Sequence, residues 1–111
     1  MEEPFKDSVF VKRQESYEKI FLKDILYVKA EGDYVTCFLQ DEKITFRMSL
    51  CRLMQLLPAP VFLRVHRSYV IQLDKIEKIN LQDSTVVIDK TIIPLNRASR
   101  KIIMEYITRI G

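Results

Sequence analysis

Histidine, cysteine and glycine are scarce in this chain of 111 residues, which holds one His, two Cys and two Gly. Each scarcity removes a class of function. A lone His66, with Cys37 and Cys51 standing 14 positions apart, supplies no cluster spaced for zinc. Two glycines cannot build a Gly-rich phosphate cradle. Long hydrophobic runs are missing too: Tyr69 to Ile71 and Ile102 to Met104 are far too short to cross a bilayer, and no basic stretch followed by an apolar one begins the chain. The expectation is a cytoplasmic protein with no metal, no cofactor and no membrane partner. In that compartment the two cysteines are expected as buried free thiols, one on a strand and one on a helix.

What is present fits one domain with a modest core, at 48% hydrophobic and 30% charged residues. The net charge of +3 hides a segregation. Residues 43–73 hold five basic residues (Lys43, Arg47, Arg52, Arg64, Arg67) and no acidic one, and 90–111 hold Lys90, Arg97, Arg100, Lys101 and Arg109 against Glu105 alone. Together these segments carry +9 and the rest of the chain −6. Folded side by side they would make one basic face, the footprint of a protein that binds a phosphate backbone. Scattered surface charge is the alternative.

The oddest stretch is Phe62 to Ile71, FLRVHRSYVI, where Arg64, His66 and Arg67 interrupt an apolar and aromatic run. Burying two unpaired guanidiniums and an imidazole would cost several kcal/mol. The stretch therefore reads as an exposed recognition loop between apolar anchors. The plainer alternative makes Arg64 and Arg67 solvated ends and His66 a structural histidine.

Along the chain, residues 1–8 (MEEPFKDS) read as a linker or the edge of a larger protein, and residues 9–111 as the domain. Period-two alternation predicts strands at VFVKR, YEKIF, ILYVKA, YVTCFLQ and KITFRM, separated by turns at QES, Glu31-Gly32-Asp33 and Asp41-Glu42. Ser49 then precedes LCRLMQLL, a short amphipathic helix predicted to cap the sheet and to stop at Pro58 and Pro60. Three more strands follow in DKIEKINLQ, DSTVVIDK and TIIPLN, with Pro94 marking an edge. Asn96 is the predicted N-cap of a final helix, whose Ile102, Ile103, Tyr106, Ile107 and Ile110 form an apolar stripe. Arg97 in its first turn, beside free backbone N–H groups, favours a nearby anion.

Catalysis is poorly provided for. A Cys37 or Cys51 nucleophile paired with His66 is conceivable, but both thiols fall in apolar pattern positions where they are usually inert. A non-enzymatic β module binding a protein strand along the TIIPLN edge is the alternative reading. DNA binding uses what the chain has: arginines for guanine edges, lysines and amides for phosphates. No helix-turn-helix pattern occurs, so contacts would come from loops and a helix start.

Four stretches, KDILYVKAEGDYV, RMSLCRLMQLL, FLRVHRSYVIQLDKIEKI and IIPLNRASRKII, in that order and spacing, resemble the LytTR DNA-binding domain found at the C-terminus of many bacterial response regulators. The resemblance covers nearly all of residues 9–108. It implies a mostly β fold, an elongated arrangement of short antiparallel sheets with one short internal helix and a C-terminal helix. It also implies a transcriptional regulator whose loops enter successive major grooves of duplex DNA, as a homodimer on repeated sites, under an N-terminal receiver domain. Carried over by position, Arg67 and Arg97 are DNA contacts, and Asp33 or Tyr34 is a third. An acidic Asp33 departs from the pattern by repelling phosphate, and Gln72 replaces the usual asparagine. With His66 and Ser68 of the HRS segment, the candidate DNA-facing set is Arg67, Arg97, His66, Arg64, Ser68, Tyr34, Asn96, Arg100 and Lys101.

Overall fold

Central strands that are apolar at consecutive positions must be covered on both faces, and this requirement organises the molecule. The computed structural model describes residues 7–59 and 61–111. Its strands are β1 (Ser8–Arg13), β2 (Ser16–Phe21), β3 (Tyr27–Glu31), β4 (Tyr34–Phe38), β5 (Lys43–Arg47), β6 (Phe62–His66), β7 (Tyr69–Gln72), β8 (Lys78–Asn80), β9 (Thr85–Ile88) and β10 (Thr91–Pro94). The helices are α1 (Leu50–Met54) and α2 (Arg97–Tyr106). A five-stranded antiparallel sheet in the order β5-β4-β3-β7-β6 lies between the β1–β2 hairpin and a three-stranded sheet ordered β10-β9-β8.

Neighbouring residues feed opposite cores. Val28 on β3 and Val70 on β7 join Val35, Cys37 and Ile44 beneath Val11, Ile20 and the α1 leucines Leu50 and Leu53. Their sequence neighbours Tyr27 and Ile71 point the other way, into a core closed by Val86, Ile88, Ile93 and Ile103 of α2. Both fully buried valines stand in registers that only an antiparallel pairing of β3 with β7 provides. The expected fold class, mostly β with short antiparallel sheets and two helices, is the one observed, with extents of 50 × 40 × 25 Å.

The local signals act as their chemistry requires. Ser49 caps α1, its hydroxyl accepting from Arg52 N at 3.1 Å, and Asn96 caps α2, its Oδ1 accepting from Ser99 N at 2.8 Å. Pro94 ends β10, an edge strand where a missing N–H costs no ladder bond. Pro60 lies outside the described residues, as do residues 1–6 of the expected linker.

Three expectations need correction. The stretch from Phe62 to Ile71 is not a loop but two paired strands, with only Arg67 and Ser68 in the turn. Phe62, Val65, Val70 and Ile71 are all buried, while Arg64 faces water from within a strand whose register with β7 shifts only beyond it, between Arg64 and His66. Cys51 is exposed rather than buried, because α1 turns Leu50 and Leu53 inward. Cys37 is buried and free, and burial pushes its thiol up to about 12, so it stays neutral and inert. The stripe on α2 is also narrower than expected: Ile103 is buried, Ile102 and Tyr106 are exposed, and Ile110 lies past the helix end at 99% exposure.

Two short 3-10 turns, Leu22–Asp24 and Leu73–Lys75, escaped the sequence pattern. The first is tied to β7 by Gln72, whose buried Nε2 donates to Leu22 O at 3.2 Å and Ile25 O at 2.7 Å. The amide thus satisfies the Ile25 carbonyl and adds a second donor to Leu22 O, which also accepts from Ile25 N.

Candidate nucleic-acid interface

Antiparallel pairing gathers several chain segments at one end of the central sheet. Glu31 faces Tyr34 across the Gly32–Asp33 turn, Tyr34 faces Arg47 at the end of β5, and His66 faces Tyr69 across the Arg67–Ser68 turn. A hydrogen bond from Ala30 N to Ser68 O, 2.9 Å, ties the two turns together through β3. Gly32 occupies a left-handed conformation at φ +58, which costs glycine little and a β-carbon more.

The Arg67–Ser68 turn is braced from inside. Arg64 Nη2 donates to Arg67 O at 2.7 Å, and Ser68 N donates to His66 Nδ1 at 3.1 Å. The His66 ring meets Tyr69 edge-on with centroids 5.8 Å apart. With Nδ1 committed to the turn, His66 shapes the hairpin tip, and only its Nε2 is left to face outward. Ser68 likewise uses both backbone groups to hold the tip in place.

The start of α2 docks on the same place. Asn96 N donates to Val65 O at 2.7 Å and Ser99 Oγ to Arg64 O at 3.0 Å, so the helix covers the edge of β6 that would otherwise be open. Ser99 is buried to do so. Arg67 lies two residues past Val65, and Arg97 directly follows Asn96, so the chain segments that carry both arginines meet at one backbone hydrogen bond between β6 and the start of α2. Arg67, Arg97 and Lys101 are exposed and Arg100 half-buried. Among the described residues, no carboxylate comes within salt-bridge distance of Arg64, Arg67, Arg97, Arg100 or Lys101.

Of the nine candidate residues, the fold therefore brings Arg64, His66, Arg67, Ser68, Asn96 and Arg97 into one cluster. Arg100 and Lys101 follow on α2. Asn96 spends its side-chain oxygen on the cap, leaving its amide NH2 as the part that could reach outward. Tyr34, 51% exposed, stands at the neighbouring turn. Gln72 lies in the interior, where its amide binds carbonyls.

One residue of this end was missed. Arg47 lies beside Tyr34, and its Nη2 is 3.7 Å from Asp33 Oδ2, both side chains about three-quarters exposed at 74% and 76%. Asp33 is thus neutralised by a partner instead of standing as a bare repulsive charge. The β4–β5 alternation, extended by one residue, was the sequence signal that could have paired them. At the opposite end of the sheet, a recess lined by Asp24, Asp41 and Glu42 beside Lys75 has mixed charge, so the positive surface belongs to one end.

Among the described residues no group of three or more His, Cys, Asp or Glu is placed to hold a metal, and no helix is long and apolar enough to cross a membrane.

Comparison with known proteins adds three findings. Residues 15–108 match the family model of the LytTr DNA-binding domain. Among characterised proteins, the heme-containing CO-sensing transcriptional regulator RcoM 2 of Paraburkholderia xenovorans (strain LB400) is 33% identical over 84 residues, covering 71% of this chain and 32% of its own length. RcoM 1 of the same organism, described in the same words, is 30% identical over 82 residues, covering 69% and 31%. The chain thus spans about a third of the length of the curated relatives it matches. Among solved structures, the LytTr DNA-binding domain of a Bacillus cereus protein described as a methyl-accepting/DNA response regulator superposes with a TM-score of 0.73 at 19% identity. That alignment covers 91% of this chain and 96% of the other.

Proposed function

Because the chain belongs to the LytTr DNA-binding domain family, we propose that it binds duplex DNA sequence-specifically through the basic end of its central sheet and so regulates transcription. The Arg67–Ser68 turn and the first turn of α2 are the parts that enter the major groove. Arg67 and Arg97 read base edges, since a guanidinium can donate two parallel hydrogen bonds to guanine. Arg64, Arg100 and Lys101 hold phosphates, as does the outward amide of Asn96. His66 and Ser68 set the shape of the hairpin tip, and Tyr34 touches the flanking groove from the neighbouring turn. The observation that supports this reading is the 2.7 Å bond from Asn96 N to Val65 O, which joins the start of α2 to β6 and so brings together the segments that carry Arg97 and Arg67.

In the full protein this reading makes residues 9–111 the effector domain and residues 1–8 the linker to an N-terminal receiver of a two-component response regulator. Two copies would occupy a pair of repeated sites in the cytoplasm. No catalytic step belongs to this function: Cys37 is neutral and enclosed, and Cys51 and His66 sit on different elements with His66 Nδ1 engaged in its turn.

The test is selection of bound fragments from a random duplex pool, followed by mobility-shift titration across salt. A single enriched motif and a steep fall of affinity with salt are expected, because phosphate contacts release counterions. No retardation of any duplex, together with salt-insensitive association with an extended peptide, would support the protein-binding reading instead. That alternative has one feature in its favour, the exposed Ile92 on edge strand β10, but the strand is four residues long and ends in proline, which blunts it as a template.

A further inference from the structure

The hairpin side of the central sheet is not closed as tightly as the α2 side. Between the β1–β2 hairpin, β5 and α1 lies a cleft of about 520 Å³, within the usual size for small-molecule sites. Ile25 and Cys37 belong to its floor, and Val11, Phe46, Leu53 and Leu57 to its walls. Two charged residues complete the lining, Lys12 and Arg47, both cationic, and among the described residues no Asp or Glu lines it. Cys37 adds no charge, since its thiol is held at about 12.

An apolar hollow with cations at its margin recognises one kind of molecule. We propose that this cleft binds an amphipathic organic anion, an apolar body ending in a single carboxylate, and that binding there weakens DNA affinity through Arg47. The apolar body replaces water against leucine, isoleucine and phenylalanine side chains, which is favourable in proportion to the area covered. The carboxylate accepts charge-assisted hydrogen bonds from Lys12 and Arg47.

Arg47 also connects the cleft to the sheet end. Arg47 and Met48 line the cleft on one side and the recess at Gly32 and Asp33 on the other. Arg47 Nη2 is 3.7 Å from the Asp33 carboxylate, and Met48 N donates to Asp33 O at 3.2 Å. An anion in the cleft competes with Asp33 for the guanidinium and offsets one positive charge beside Tyr34. The binding half of this proposal stands on the cleft alone, whereas the coupling half rests on the DNA-binding reading above.

Decanoate is the probe, titrated below its micelle concentration into the whole chain without DNA, by calorimetry and by amide NMR shifts. Saturable binding of one decanoate per chain is expected, with shifts centred on Phe46, Met48 and Leu53. Decanol, and decanoate on Lys12→Glu, should each bind about tenfold more weakly, the usual worth of a charge-assisted bond. Leu56→Trp, which fills the cleft mouth from an exposed position, should abolish binding and leave the melting temperature within a few degrees. Equal affinity for decanol and decanoate, shifts confined to Phe21 and Ile92 outside the cleft, or decanoate merely dissolving a self-associated dimer would each overturn the site. For the coupling, decanoate should weaken duplex binding by the wild type and leave Leu56→Trp unaffected, and DNA should weaken decanoate binding by the same factor. Decanoate bound in the cleft with unchanged duplex affinity would overturn the coupling and keep the site. Failure to bind any duplex would instead strike the DNA-binding reading, with the direct titration still deciding the site.

Discussion

Two turns stand side by side at one end of the central sheet, and their charges are handled in opposite ways. In the Arg67–Ser68 turn the arginine side chain has no acidic partner among the described residues, while the backbone beneath it is fixed by Arg64, His66 and Ser68. In the Gly32–Asp33 turn the nearby cation Arg47 is offset by Asp33, and Met48 N to Asp33 O is the hydrogen bond that ties the turn to the chain after β5. The difference teaches what a reading residue requires. A guanidinium that discriminates bases must be both free of internal partners and carried on backbone that does not move, since ordering it at the moment of binding costs affinity. The first turn meets both conditions, and the second fails the first of them, because its cation already has a partner.

The sharpest way to break this contrast is at its stronger side. Arg67→Ala and Arg97→Ala should each cost about 1–3 kcal/mol on the preferred duplex in competition mobility shifts, and much less on random DNA. Equal losses on both would make them phosphate contacts and erase the distinction between the turns. Tyr34→Ala, on the second turn, should cost less than either.

Next in size is the support under the first turn. Asn96→Ala removes the α2 cap and should lower stability by about 1 kcal/mol in urea unfolding. Specific affinity should fall alongside, because Arg97 loses its anchor. Unchanged affinity would mean that Arg97 finds its position without the cap. Gln72→Leu probes support from the interior: leaving the carbonyl of Ile25 unmatched, while Leu22 O keeps its bond from Ile25 N, should cost about 1–3 kcal/mol of stability, with no change in the salt dependence of DNA binding.

The smallest effect is expected at the second turn. Asp33→Asn releases Arg47, and the logarithmic salt dependence of duplex binding should steepen by about 0.9, the contribution of one further phosphate contact. Stability should stay within about 0.5 kcal/mol, as for other exposed ion pairs. A salt dependence that does not change would show that Arg47 points away from the duplex whether or not it is paired.

Much of the fold was legible because its signals are local. Alternation in VFVKR, YVTCFLQ and KITFRM marks strands, and Ser49 and Asn96 act as caps wherever a helix follows. The reading failed at Phe62 to Ile71, where arginines inside an apolar run looked like a loop. That Arg64 stands exposed within a strand paired to β7, with a register shift just beyond it, depends on a pairing that period alone does not display. Cys51 was misplaced for a related reason, since a helix as short as α1 leaves too few residues for its stripe to be phased securely. Gln72 read only as a mild replacement of the family's asparagine and proved to be a buried clamp. At the candidate site, the charge excess of residues 43–73 and 90–111 was plain to count, whereas Arg47, counted in it, was left out of the candidate set because its neighbours Tyr34 and Asp33 are met only through the β4–β5 register.

The sequence by itself determined the strand and helix segments, the helix caps, the lack of metal-binding spacing and the concentration of positive charge in two separate stretches. It could do so because propensity, capping and composition act over a few residues. Only the tertiary structure decided that those two stretches meet, since their contact is a hydrogen bond between the β6 edge and the start of α2, residues distant in the chain. It also decided which arginines remain unpaired, because a guanidinium is neutralised by whatever carboxylate the fold brings within reach, and that is a property of the assembled sheet.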